Sequence, residues 1–88
     1  MATLYSTDGT ITENYPVKTL EDMQKAVGGY IEVANTFTDP KTGRDMFALV
    51  NEEGLLIGLP MNPFCAEERF GRQVLAGNIL VCNDEEFN

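Results

Sequence analysis

Apolar residues at helical spacing predict one amphipathic helix after residue 19. The stripe recurs at i, i+3 and i+7, with one further apolar neighbour, and consists of Leu20, Met23, Ala26 and Val27. Thr19 precedes it and Asp22 lies three residues later, which is the spacing of a capping box. Gly28-Gly29 follows, and glycine adopts the left-handed C-cap conformation at low cost. The pattern therefore predicts a helix of about two turns that ends at Gly28.

Runs of β-prone residues predict six strands. They cover residues 3–7, 10–14, 30–37, 45–51, 55–59 and 78–82. Asp8-Gly9 joins the first two runs and favours a type I′ hairpin at an edge of the sheet. Residues 38–43 and 51–54 are turns by composition, so residues 30–59 are expected to form an antiparallel meander. Residues 46–50 are apolar on both faces, which is typical of a central strand covered on both sides.

Asn62-Pro63 predicts the start of a second, short helix over residues 63–70, which ends at Gly71. The pentapeptide 58–62 (Gly-Leu-Pro-Met-Asn) has two interpretations, a structural corner or a binding loop, and the local backbone preferences of Pro and Asn favour the corner. Together the elements predict a small α+β domain, mostly antiparallel, with the first helix on one sheet face. We expect one domain over residues 1–88, with an edge hairpin at 1–16, a core at 19–82 and an acidic tail at 83–88.

Charge narrows the range of partners. The chain has 88 residues and a formal net charge of −8, and most of the excess lies after residue 44. Because phosphate binding needs clustered Lys and Arg, we expect no direct contact with nucleic acid or an anionic membrane. The sequence contains no apolar run long enough to predict a transmembrane helix. It also contains no charged segment followed by an apolar one, the pattern of a secretory signal. We therefore expect a cytoplasmic location.

Few residues offer catalytic chemistry. The chain has no histidine, and its only serine is Ser6, which has no base nearby in the sequence. Cys65 falls in the first turn of the predicted short helix, where a helix dipole can lower a thiol pKa, but a buried structural role is the favoured alternative. With Cys82 as the only other cysteine, we expect free thiols in preference to a disulfide, and no metal site. We predict no catalytic residue and no cofactor.

One stretch resembles a known family. It comprises residues 27–32 (Val-Gly-Gly-Tyr-Ile-Glu), residues 50–62 (from Val-Asn-Glu-Glu-Gly to Gly-Leu-Pro-Met-Asn) and residues 77–81 (Gly-Asn-Ile-Leu-Val). In this order the elements resemble a family of small proteins of unknown function from phages, bacteria and large DNA viruses. The resemblance covers roughly residues 19–82. It implies a viral or mobile-element setting and transfers no catalytic residue.

Two functions from different classes remain as hypotheses. The first is a non-enzymatic accessory protein that binds a host protein with a basic surface. Its acidic surface is expected to consist of Glu52, Glu53, Glu67, Glu68, Asp84, Glu85 and Glu86, although acids near a chain end are commonly only solvated. The second is a nucleotide-binding or nucleotide-sequestering homo-oligomer. Its anion site would use Arg69, Arg72 and Lys41, although the two arginines are also natural ion-pair partners for nearby acids.

Overall fold

The computed structural model describes residues 2–87 and shows one five-stranded antiparallel sheet. Its strands are β1 (Ala2–Tyr5), β2 (Ile11–Tyr15), β3 (Ile31–Thr38), β4 (Asp45–Asn51) and β5 (Ile79–Asn83), in the spatial order β2-β1-β5-β4-β3. Helix α1 spans Leu20–Val27, a 3₁₀ turn spans Glu68–Phe70, and a helical turn, α2, spans Asp84–Phe87. The predicted α+β class is confirmed. Met1 and Asn88 lie outside the described residues. They are the first residue of the predicted hairpin and the last residue of the predicted tail.

The N-terminal hairpin forms, but its turn differs from the prediction. A type I′ turn needs positive φ at both central residues, whereas here Gly9 alone has it, with φ 90°. The Gly9 N–H donates to the Ser6 carbonyl (3.0 Å) and the Ser6 N–H donates to the Thr10 carbonyl (2.9 Å), so the loop is a longer turn. Strand β2 is an edge of the sheet, while β1 lies inside between β2 and β5.

Helix α1 follows the prediction at both ends. The Thr19 hydroxyl accepts the Asp22 N–H (3.2 Å), and the Asp22 carboxylate accepts the Thr19 N–H (3.2 Å), which completes the capping box. Gly28 caps the C-terminus in the left-handed region, with φ 80°. Met23, Ala26 and Val27 are buried against the sheet, but Leu20 is 57% exposed. The buried stripe therefore begins at Met23, and the predicted stripe is one residue too long.

Two apolar clusters cover the two faces of the sheet. Side chains alternate along β5, so Leu80 and Cys82 join the cluster beneath α1, while Ile79 and Val81 join the other. The second cluster is covered by residues 64–75, chiefly by Phe70 and Leu75. Strand β4 contributes to both clusters, which confirms the prediction that it is covered on both faces. β3 completes that side of the sheet, with a bulge between Val33 and Asn35.

The predicted strand over residues 55–59 is wrong. Residues 52–58 form successive turns, in which the Ile57 N–H donates to the Glu53 carbonyl (3.0 Å) and the Leu59 N–H donates to the Gly54 carbonyl (2.9 Å). A meander would need a free edge on β4, but β4 is already paired with β3 on one side and β5 on the other. A strand directly after β4 therefore has no partner, and the run turns outward.

The predicted helix over residues 63–70 is also wrong in type. Its backbone bonds run three residues back, for example from the Phe70 N–H to the Glu67 carbonyl (3.0 Å), so the segment is a series of turns with one 3₁₀ turn. Phe64 and Phe70 both pack edge-on against Tyr5, with centroids 5.1 Å and 5.3 Å away. In an α-helix, residues six apart point about 240° from each other, so one straight helix could not place both rings on Tyr5. Gly71 does end the segment in the left-handed region, as predicted.

Candidate functional site

The glycine and asparagine motifs hold the loops onto the sheet. Asn51 is buried, and its amide group donates to the Val27 carbonyl (3.3 Å) and accepts the Glu53 N–H (2.8 Å). It lies against Gly29, so the end of α1 and the turn after β4 share one contact. These residues occupy the two motifs at 27–32 and 50–62. Their roles are structural, since the two bonds satisfy the buried Val27 carbonyl and the partly buried Glu53 N–H.

Asn62 shows that the pentapeptide 58–62 is a structural corner. Its side chain is fully buried; Nδ2 donates to the carbonyls of Tyr5 (2.9 Å) and Gly77 (3.0 Å), and Oδ1 accepts the Phe64 N–H (2.9 Å). Asn62 therefore joins the end of β1, the segment before β5 and the turn that follows Asn62 itself. The capping role predicted for this residue holds, although the expected helix is replaced by turns.

The structure separates the seven acids predicted to form one partner-binding surface. Asp84 and Glu85 lie beside Arg44, with its Nη2 3.2 Å and 3.0 Å from their carboxylates. The hydrogen bonds that Arg44 donates to Glu85 and Asp84 raise the pKa of Arg44. The Glu86 carboxylate accepts the Asn83 N–H (3.1 Å). All three follow β5, whereas Glu52 and Glu53 follow the opposite end of β4, roughly 20 Å away at strand rise.

Glu67 and Glu68 form a third group at the 3₁₀ turn. Glu67 is paired with Arg69 (2.8 Å) and Glu68 with Arg72 (3.6 Å). Glu52 and Glu53 are both exposed, and within residues 2–87 neither forms a salt bridge. The predicted acidic surface is thus three sites, and among the residues that the structure describes only the one at residues 52–53 forms no salt bridge.

The cations predicted to bind an anion are also separated by their contacts. Arg69 stacks on the rings of Tyr5 (4.6 Å) and Phe70 (4.7 Å), and its Nη1 donates to the Tyr5 hydroxyl (2.7 Å). Arg72 is exposed beside Glu68, and Lys41 lies in the turn after β3. Arg69 and Lys41 do line the same groove, and Arg72 does not.

That groove, the sheet groove, is about 830 Å³ and crosses the part of the second sheet face that residues 64–75 leave open. All five strands contribute to its lining, from Glu13 on β2 to Phe37 on β3. Its charged lining residues are four acids and two bases, namely Glu13, Asp39, Glu67, Glu68, Lys41 and Arg69. The excess of carboxylates disfavours a phosphate group in the groove except beside Lys41 and Arg69.

Neither cysteine is placed for catalysis. Cys65 is buried in the cluster with Phe70 and Leu75, and Cys82 is buried in the cluster beneath α1. They lie on opposite faces of the sheet and are free thiols, as expected. Burial raises the pKa of the Cys82 thiol to about 12, and the nearby charge of Glu86 adds to the shift. Across residues 2–87, no group of His, Cys, Asp or Glu side chains could hold a metal ion.

An exposed apolar surface that the sequence did not predict lies at the end of the molecule beyond β4. Residues 55–57 form the apolar turn, whose side chains are 67%, 87% and 57% exposed, and Val74 beside it is 59% exposed. Leu55, Leu56 and Val74 line a groove of about 370 Å³, the end groove. The local sequence carries no signal for this surface, because a short apolar run is also the pattern of a buried strand.

The fold defines a small α+β domain with one five-stranded antiparallel sheet. The chain belongs to the family described as Domain of unknown function (DUF3846), whose model matches residues 4–88. This range includes most of the N-terminal hairpin and so extends beyond residues 19–82. The predicted membership of a family of unknown function is confirmed. Comparisons with curated proteins and with solved structures found no match. No helix within residues 2–87 is long and apolar enough to cross a membrane.

Proposed function

We propose that this protein is a non-enzymatic interaction module that binds a basic surface of another protein through the acids at Glu52 and Glu53. The observation that carries the proposal is their position. Both carboxylates are exposed after β4 and neither has a basic partner among residues 2–87, while the other predicted acids have local contacts. Unpaired surface charge is available for steering a partner of opposite sign, since an ion-paired carboxylate is already partly neutralised.

The cellular setting belongs to the same proposal. The sequence resemblance to proteins of phages, bacteria and large DNA viruses supports an accessory protein that acts on a host protein in the cytoplasm. Defence factors and nucleic-acid-handling factors both present basic surfaces of the kind that an acidic module would cover. The net charge of −8 supports a protein partner over a direct contact with nucleic acid.

Affinity capture with matched charge variants tests this function. The wild type is compared with Glu52→Gln/Glu53→Gln and with Asp84→Asn/Glu85→Gln, which removes the same charge at the opposite end of β4. A host protein captured at low salt is expected to be lost with the first variant and kept with the second. Equal capture by both variants, or no salt-sensitive capture by the wild type, would overturn the proposal.

A second candidate function is binding of a small ligand in the sheet groove. It is supported by the volume of about 830 Å³ and by the presence of both Arg69 and Lys41 in the lining. A nucleotide bound there should raise the unfolding temperature with increasing ligand, and Lys41→Ala should remove the shift. The absence of any shift across a panel of nucleotides would reject this candidate.

A further inference from the structure

We propose that the end groove binds a segment of the partner protein in which large apolar side chains stand next to Lys or Arg. The proposal deepens the proposed function and rests on it, because it states what chemistry the partner brings to the end of the molecule that bears Glu52 and Glu53. It assigns the apolar contacts to Leu55, Leu56 and Val74.

The exposure of Leu55 and Leu56, for which the fold offers no structural reason, supports the proposal. Leu56 is 87% exposed and Leu55 is 67% exposed. By contrast, the side chain of Leu59, four residues after Leu55, packs over Gly77. Backbone hydrogen bonds from the Ile57 N–H to the Glu53 carbonyl (3.0 Å) and from the Gly58 N–H to the Leu55 carbonyl (3.4 Å) hold the turn, so these side chains lie in solvent at a defined place. Exposing such side chains together forfeits the free energy that their burial would give, and contiguous patches of this kind mark contact sites.

The shape and composition of the end groove support the same proposal. Its apolar lining extends from the turn to the covered sheet face and comprises Ala34, Val50, Leu55, Leu56, Val74 and Leu75. The volume of about 370 Å³ lies within the range of sites that enclose side chains or small ligands. An aliphatic or aromatic side chain of a partner would exchange water for this lining, which is the general source of affinity at interface centres.

The charges around the end groove also support the proposal. Within residues 2–87, the charged residues that line the groove are Glu32 and Glu52, and Glu53 follows in the chain. Arg72, one residue before the lining residue Gln73, has its guanidinium beside Glu68 at 3.6 Å. An apolar centre with a carboxylate rim complements a segment whose apolar residues are flanked by Lys or Arg, because their aliphatic stems also cover apolar surface.

The same charges disfavour a second copy of this chain as the occupant. A two-fold contact between copies would place this same surface opposite itself, and so bring Glu32, Glu52 and Glu53 near the same three residues of the other copy. Like charges opposed at an interface cost free energy, and each chain already carries a net charge of −8. A heterologous basic segment relieves that repulsion.

A displayed library of random short peptides provides the test. Selection is carried out on the wild type, on Leu55→Ser/Leu56→Ser, on Glu32→Gln/Glu52→Gln, and on Leu20→Ser as a control for the loss of an exposed leucine elsewhere. We expect enriched peptides that combine large apolar residues with Lys or Arg. As synthetic peptides, they should bind the leucine variant and the glutamate variant roughly tenfold more weakly, and Leu20→Ser as tightly as the wild type.

The other outcomes are also decisive. Basic peptides without apolar residues that bind the leucine variant unchanged would overturn the groove and leave the acidic interaction surface standing. Apolar peptides indifferent to the glutamate variant would overturn the assigned partner chemistry. No enrichment of peptides above background would overturn the proposal. A wild-type dimer in analytical sedimentation, with the leucine variant monomeric, would also overturn it. Thermal unfolding of each variant confirms that the fold is retained.

Discussion

The amide nitrogen of Asn51 occupies the space beside Gly29 in which a side chain would begin: a Cβ at Gly29 would lie 2.8 Å from Asn51 Nδ2. Asn51 cannot withdraw freely, because the same amide group is bonded to the Val27 carbonyl and the Glu53 N–H. The pair joins α1 to the turn that leads to the end groove. The geometry of this junction thus fixes where Glu52, Glu53 and the apolar turn project.

Gly29→Ala is expected to destabilise the fold by about 1–3 kcal/mol, the usual cost of overfilling a packed site. Asn51→Ala should cost about 1–3 kcal/mol, because it leaves buried backbone groups unpaired. The double variant should cost less than the sum of the two, since removing Asn51 also removes the clash. Denaturant unfolding of the four proteins measures this coupling, and strictly additive losses would show that the two residues do not share the contact.

Asn62→Ala should be more damaging than Asn35→Ala. Asn62 makes three hydrogen bonds from a fully buried side chain, to Tyr5, Gly77 and Phe64. Asn35 makes one, from its Nδ2 to the Arg69 carbonyl (2.9 Å), at a half-buried position. We expect a loss of at least about 2 kcal/mol for Asn62→Ala and about 1 kcal/mol for Asn35→Ala in chemical denaturation. Equal losses would contradict the corner role.

Alkaline pH should destabilise the protein through Cys82. The native thiol stays protonated because its pKa is raised from the ordinary 9.0 to about 12, while the thiol of an unfolded chain ionises near the ordinary value. The contribution is therefore fully present below about pH 9 and is lost as the pH rises towards 12, by up to about 1.4 kcal/mol per pH unit. Unfolding free energies from about pH 8 to about pH 10.5 should fall less steeply for Cys82→Ala than for the wild type. Parallel slopes would contradict this burial.

Leucines at the apolar turn and in the second cluster should respond differently to truncation. Leu75 is 6% exposed, and Leu75→Ala should cost about 2–5 kcal/mol as buried contacts are lost. Leu55→Ala/Leu56→Ala should change stability by no more than about 0.5 kcal/mol per site, as for other exposed positions. Thermal and denaturant unfolding of the two variants compare them directly. A large loss for the turn variant would mean that these residues are part of the core.

Local signals in the sequence were sufficient for much of the fold. Thr19, Asp22 and Gly28 carry their own capping chemistry, so α1 could be placed to the residue. The bounds of β4 follow from an apolar run enclosed by turn residues. Residues 55–59 failed because the deciding fact is distant. Whether that run becomes a strand depends on β5 taking the second edge of β4, and nothing in the local pattern reports that pairing.

The candidate site was harder to predict for the same reason. A list of acids in the second half of the chain could not separate Glu52 and Glu53 from Asp84 and Glu85, because the partner of the latter pair is Arg44, some forty residues earlier. Likewise, Leu55 and Leu56 were assigned to a strand on hydrophobicity alone. Only the tertiary structure shows that they are exposed and share a groove with Val74.

Site-specific photo-crosslinking tests most directly the central claim that a partner protein binds at the end groove. A photoreactive amino acid is placed at position 56, at position 20 on α1, or at position 85 beside Arg44, and each protein is irradiated in the host-cell lysate. The account predicts an adduct with a discrete host protein from position 56, which is lost when Glu52→Gln/Glu53→Gln is added, and none from positions 20 and 85. No adduct from position 56, or the same adduct from position 85, would contradict it.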